Sequence, residues 1–118
     1  MNIELLREYC LAKKGTTEGF PFDEDTLVFK VMGKMFALVS LDSSPLRVNL
    51  KSDRAVAVEL RERYASVSPG YHMSKIHWNT VEINGEVPGT EIVSWIKDSY
   101  QLVVAGLPKK LRLELEGL

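Results

Sequence analysis

The sequence has one cysteine, Cys10, so no internal disulfide can form and a disulfide-stapled secreted scaffold is excluded. No apolar run approaches the ~20 residues needed to cross a bilayer. The opening Met1-Asn2-Ile3-Glu4 lacks the basic start and apolar run of a secretory leader, so the expected location is the cytoplasm, with no membrane association. Net charge is almost absent too, at −1. A general polyanion binder is usually clearly basic, so any contact with nucleic acid would need a local basic face. Gly-rich phosphate loops and serine or cysteine nucleophile motifs are also missing. The two histidines, His72 and His77, differ in parity, so a regular strand would point them to opposite faces and they could not share a zinc ion. No catalytic residue, metal site or cofactor is therefore expected, and the chain does not read as an enzyme.

What remains is an ordinary globular composition: 45% hydrophobic and 26% charged residues. A length of 118 residues suits one domain, 1–118, large enough to bury a core without a staple. Asn2 is placed to cap a first helix whose apolar positions are Leu5, Leu6, Tyr9 and Ala12, with Lys13 and Lys14 in its last turn and Gly15 as the stop. Cys10 lies inside it as a small buried hydrophobe. Residues 16–25 read as a loop carrying the plug Gly19-Phe20-Pro21-Phe22 and the acidic run Asp23-Glu24-Asp25, a solvated tip.

Residues 26–41 read as a β-hairpin turning at Gly33-Lys34, with Gly first as in a type II′ turn. That register places Leu27, Phe29, Val31, Phe36 and Leu38 on the core face. Val28, Lys30, Met32, Met35, Ala37, Val39 and Leu41 then form a second, rather apolar face. A third strand follows with Val48 and Leu50 inward and Arg47, Asn49 and Lys51 outward. Ser52 or Asp53 caps a helix over 54–64.

A strand is expected from Lys75 to Ile83, but Ile76 and Trp78 share one parity while Val81 and Ile83 share the other. Either both faces are covered or a bulge near Asn79-Thr80 switches the phase. Thr90 caps a helix over 91–105 with the stripe Ile92, Trp95, Ile96, Ser99, Leu102 and Val103. Pro108 opens a short, locally basic helix with Lys109, Lys110 and Arg112. The order α, three strands, α, strand, α, α predicts an α+β fold: a mostly antiparallel sheet with helices packed on one side.

The densest chemistry lies in Tyr71, His72, Lys75, His77, Trp78 and Asn79. With their surroundings these residues resemble the MmcQ/YjbR family. The matching pieces are Pro21-Phe22, Asp25 to Val31, Lys34 to Leu38, Val48 to Lys51, Pro69 to Met73, and His77 to Val81. Ser99-Tyr100, Leu102-Val103 and Leu107 to Lys110 complete the set. Ser74 and Ile76 depart from the pattern, standing where polar or basic residues are more usual, and Ile76 makes the patch slightly less positive. The resemblance implies a single α+β domain similar to the frataxin-like (CyaY-like) arrangement, with a "double-wing" look shared with DNA-binding domains; fold alone does not fix function.

Two functions follow as expectations. The first is DNA or RNA binding through Tyr71, His72, Lys75, His77, Trp78 and Asn79, extended by Lys109, Lys110 and Arg112, since phosphates need cations and unpaired bases stack on rings. The alternative is a protein-interaction adaptor using the outer hairpin face (Val28, Met32, Met35, Val39), with neither nucleic acid nor catalysis.

Overall fold

A computed structural model describes residues 1–70 and 73–118. Along the chain run α1 (Ile3–Leu11), β1 (Thr16–Gly19), β2 (Thr26–Val31), β3 (Lys34–Ser40), β4 (Arg47–Lys51), α2 (Arg54–Arg63), β5 (Val67–Pro69), β6 (Trp78–Glu82), α3 (Gly89–Ala105) and α4 (Lys109–Glu116). Among the described residues the strands form one antiparallel sheet in the order β1-β2-β3-β4-β6-β5. The α+β architecture expected from the element order is the one observed.

Local chemistry accounts for the helix ends, with three revisions. Asn2 caps α1 as expected, its Oδ1 accepting from the Leu5 amide at 2.9 Å. The helix stops at Leu11, so Lys13 and Lys14 fall beyond its last turn. Asp53 stands at the α2 N-cap, but its side chain makes no capping bond. Pro88, not Thr90, precedes α3, which begins at Gly89. The segment read as a loop over 16–25 contains an edge strand, β1, and β5 forms the other edge. At four and three residues they are too short to show a period in sequence, and their pairing partners make them strands.

The hairpin differs from expectation in a way that sets both faces of the sheet. Its turn is Met32-Gly33, with φ of +48° and +85°, and Val31 pairs with Lys34. Two successive left-handed residues give a type I′ geometry, which matches strand twist better than the expected Gly33-Lys34 turn. Farther along, Phe29 pairs with Ala37 while Lys30 pairs with Met35, so Phe36 is an extra, bulged residue. The bulge lets Phe36 join Ala37 and Val39 in the helix-side core and turns Leu38 to the opposite face. Leu38 was expected inside, and Ala37 and Val39 outside; the bulge reverses all three.

The helix-side core holds Leu6, Cys10, Phe29, Val31, Phe36, Val48, Leu50, Val81, Ile92 and Ile96. Phe36 meets Phe29 at 6.5 Å and the edge of Tyr100 at 5.4 Å. Burial pushes the Cys10 thiol up to about 12, so it stays protonated and behaves as an apolar side chain. Ser99 on α3 is fully buried at the bulge. Its hydroxyl donates to the Phe36 carbonyl at 2.6 Å and accepts from the Lys51 amide at 2.9 Å, joining β3 to β4 where the bulge disturbs the ladder. Ser99→Ala is expected to cost about 1–3 kcal/mol, because both backbone groups lose a buried partner. Urea unfolding checks this, and a shift below about 0.5 kcal/mol would mean that the bulge does not depend on Ser99.

The first turn of α4 follows Leu107, which is buried with Leu115 in the same core. No helix among the described residues is long and apolar enough to cross a membrane.

Candidate nucleic-acid interface

The sheet face away from the helices is built by alternate residues of β2, β3, β4 and β6. Trp78 opens β6 opposite Lys51, Thr80 stands opposite Asn49, and Glu82 opposite Arg47, all on this face. Asn79 and Val81 turn the other way, opposite Leu50 and Val48. No bulge interrupts β6. The mixed parity of Trp78 and Val81 is explained by cover on both sides, because Trp78 joins Val28 and Leu38 in a second cluster with Met35 and Met73 against it. Ile76 precedes the strand and is exposed.

Around this cluster lies a cleft of about 570 Å³ lined by Phe22, Met35, Leu38, Met73, Ser40 and Asn49. It shares Ser40 and Asn49 with a more polar hollow of about 520 Å³ bordered by Arg47, Thr80 and Glu82. Arg47 and Glu82 pair across the strands at 3.3 Å. The Thr80 hydroxyl donates to Asn49 Oδ1. One rim is the loop before β2. There Asp23 Oδ1 accepts from the Asp25 and Thr26 amides at 2.9 and 2.7 Å, which holds its carboxyl below the usual range. The acidic run is thus partly a loop-shaping device.

The nine residues expected to contact a ligand divide into distinct settings. Tyr71 and His72 lie outside the described residues. Lys75 and His77 are exposed in the turn entering β6. Trp78 is buried in the outer cluster. Asn79, expected in the contact surface, is instead 1% exposed. Its Nδ2 donates to the Ala57 carbonyl at 3.1 Å and its Oδ1 accepts from Arg61 Nε at 2.6 Å. Arg61 also donates to the carbonyls of Trp78, at 3.3 Å, and of Lys75. Asn79 and Arg61 thereby tie α2 to the turn that presents Lys75 and His77. Gly70 makes the approach tight, since a Cβ there would stand 2.8 Å from Trp78 Cβ and 2.9 Å from its carbonyl oxygen.

Lys109, Lys110 and Arg112 are exposed on α4. The end of α4 is anchored beside Gly15: Leu115 packs there, and Lys14 Nζ donates to the Glu116 carbonyl at 3.0 Å. This is the β1–β2 side of the sheet, three strands from β6. The basic helix and the Lys75–His77 turn are therefore separate patches.

Strand order reveals a charge pattern that the linear sequence hides. The antiparallel registers bring Lys14 before β1, Lys34 at the hairpin turn, Lys51 at the end of β4, and Lys75 and His77 before β6 to one end of the sheet. Asp23 and Asp25 before β2, Asp42 after β3, and Glu82 at the end of β6, the last paired with Arg47, lie at the other, while Asp53 follows Lys51 at the lysine end. Lys34, Lys51 and Lys75 form no ion pair among the described residues. No three His, Cys, Asp or Glu side chains among the described residues are grouped so as to hold a metal.

Comparison with known proteins places this geometry in a family. The YjbR family model matches residues 11–102. The chain belongs to the YjbR family. It is 34% identical over 112 residues to the uncharacterized protein YjbR of Escherichia coli K12, covering 95% of each. It is 41% identical over 95 residues to the uncharacterized protein YbdF of E. coli O157:H7, covering 77% of this chain and 75% of that one. The crystal structure of Deinococcus radiodurans DR2400, a DUF419 domain, superposes with a TM-score of 0.91 at 40% identity, covering 98% of this chain and 88% of that one. A Pseudomonas syringae crystal structure gives 0.74 at 30% identity, covering 86% and 98%. The YjbR family assignment agrees with the resemblance drawn from sequence.

Proposed function

We propose that this YjbR-family chain binds single-stranded nucleic acid at the cationic end of its sheet, with bases reaching onto the helix-free face. The observation that carries the reading is the convergence of Lys34, Lys51, Lys75 and His77 at one end of the sheet. Phosphate contacts need unpaired cations, and these three lysines are unpaired among the described residues. A net charge of −1 is compatible with this, because binding responds to the local field. The cleft on the helix-free face, with the exposed ring of Phe22, at 63%, in its lining, suits splayed bases better than a closed duplex.

The adaptor alternative has less support. Its apolar face was to include Val28 and Val39, which are 1% and 0% exposed. What stays open nearby is Phe20 and Phe22 on one loop.

Fluorescence anisotropy with labelled single strands and duplexes, over a salt series, tests the proposal. Single strands are expected to bind more tightly than duplex, with affinity falling as salt rises. Lys75→Glu is expected to weaken binding about tenfold at low salt while leaving the unfolding midpoint unchanged. Absence of binding at low salt, or binding without a salt slope, contradicts the proposal.

A further inference from the structure

The polar hollow on the helix-free face has a floor set by cross-strand pairing. Ser40 stands opposite Arg47, and Arg47 opposite Glu82. One row nearer the lysines, Asn49 stands opposite Thr80. All five border the hollow, whose volume of about 520 Å³ is ordinary for a ligand pocket.

Asn49 is 9% exposed and borders both this hollow and the apolar cleft beside it. The Thr80 hydroxyl donates to its Oδ1, which orients the amide. Its Nδ2 donates to no described residue, so a held amide donor is left for whatever occupies the two cavities. Polar side chains this deeply buried normally use their donors, and an acceptor on an occupant would complete this one.

Glu82 supplies the opposite chemistry. Its Oε1 pairs with Arg47 at 3.3 Å, and its Oε2 accepts from no described residue. It stands one strand over and two residues along from Asn49, a diagonal separation of about 7–8 Å in an antiparallel sheet. A donor and a carboxylate thus face one another across roughly the width of a nucleobase edge. Arg47 offsets part of the carboxylate charge, while Asp42 at the rim disfavours phosphate. A base edge fits here better than the backbone of a strand.

We infer that this hollow selects guanine from the bound strand. The inference rests on the single-strand reading above and adds a base preference to it. On its Watson–Crick edge guanine presents one acceptor, O6, beside two donors, N1–H and the N2 amino group. Asn49 Nδ2 donates to O6, and the Glu82 carboxylate accepts from N1–H and N2. Adenine and cytosine each offer a single donor group on this edge, and thymine sets a carbonyl oxygen against the carboxylate.

Fluorescence anisotropy tests the inference with a labelled oligothymidine strand and the same strand carrying one central guanine, adenine or inosine. One guanine is expected to tighten binding about tenfold over thymine alone. Adenine is expected to add less than about twofold, and inosine, which lacks the N2 amino group, to lose most of the guanine gain. Glu82→Gln, at a partly exposed position, is expected to bring the guanine-to-thymine affinity ratio close to one. Asn49→Asp, which keeps an acceptor for Thr80 but removes the donor, is expected to lower that ratio as well. Equal affinity for the four strands, adenine or inosine matching guanine, or a guanine preference that survives both substitutions overturns the selection and leaves the single-strand reading standing. Binding to none of the strands overturns both.

Discussion

Replacing Asn79 with alanine is expected to destabilise the protein by about 2–4 kcal/mol. The figure comes from one buried and one partly buried bond, the second at the low end of the range. The Ala57 carbonyl loses its donor and Arg61 Nε loses its acceptor, and each orphaned group costs about 1–3 kcal/mol. A small cavity adds to this, because Asn79 is 1% exposed. Against a typical stability of about 5–15 kcal/mol, such a loss is a large fraction. The effect should appear as a lower urea midpoint at constant slope. Loosening of Arg61 also frees the turn that carries Lys75 and His77, so any loss of binding should track loss of folded protein. A destabilisation below about 0.5 kcal/mol would mean that Asn79 does not hold α2 to β6, and its place in the signature stretch would need another explanation.

The opposite result is expected for the combined variant Lys34→Glu, Lys51→Glu, Lys75→Glu. Lys34 and Lys75 are exposed and Lys51 is half-buried, and none is in an ion pair among the described residues, so stability should change by less than about 1 kcal/mol. Binding to a single strand should weaken by about 100-fold or more at low salt. Each reversal removes a phosphate partner and adds repulsion, and the slope of log affinity against log salt should become shallower by about 2. Anisotropy measured beside thermal unfolding separates the two effects. Lys97→Glu, on the exposed side of α3, is the control and should leave affinity nearly unchanged. If the triple variant binds as the wild type does, the cationic end of the sheet is not the interface.

Much of the fold can be read from the sequence because the long elements carry strong periods. The Ile92, Trp95, Ile96, Ser99, Val103 stripe of α3 and the Val48, Leu50 alternation of β4 are found where expected. What escaped has physical causes. The hairpin register turns on Met32 accepting a left-handed φ, which the residue type disfavours, so Gly33-Lys34 looked the better turn. The bulge at Phe36 is hydrogen-bonded by Ser99, a residue 63 positions away whose place on an otherwise apolar stripe was its only sequence signal.

The site was less legible. Density of chemistry drew attention to Trp78 and Asn79, yet both are buried, one in the outer cluster and one in a hydrogen-bonded tie. Arg61 is one of several charges along α2, and only the contact of α2 with β6 shows what it does. The gathering of Lys34, Lys51 and Lys75 at one end of the sheet arises from strand order, so no window of the chain displays it.

The most direct measurement is chemical-shift mapping of the ¹⁵N-labelled chain with a short single-stranded oligonucleotide at low salt. Shifts are expected to concentrate at Lys34, Lys51, Lys75 and His77 and to spread onto Met35 and Leu38 of the helix-free face. Shifts centred on Asp25, Asp42 and Glu82, or no saturable shifts at all, would contradict a nucleic-acid interface at the cationic end of the sheet.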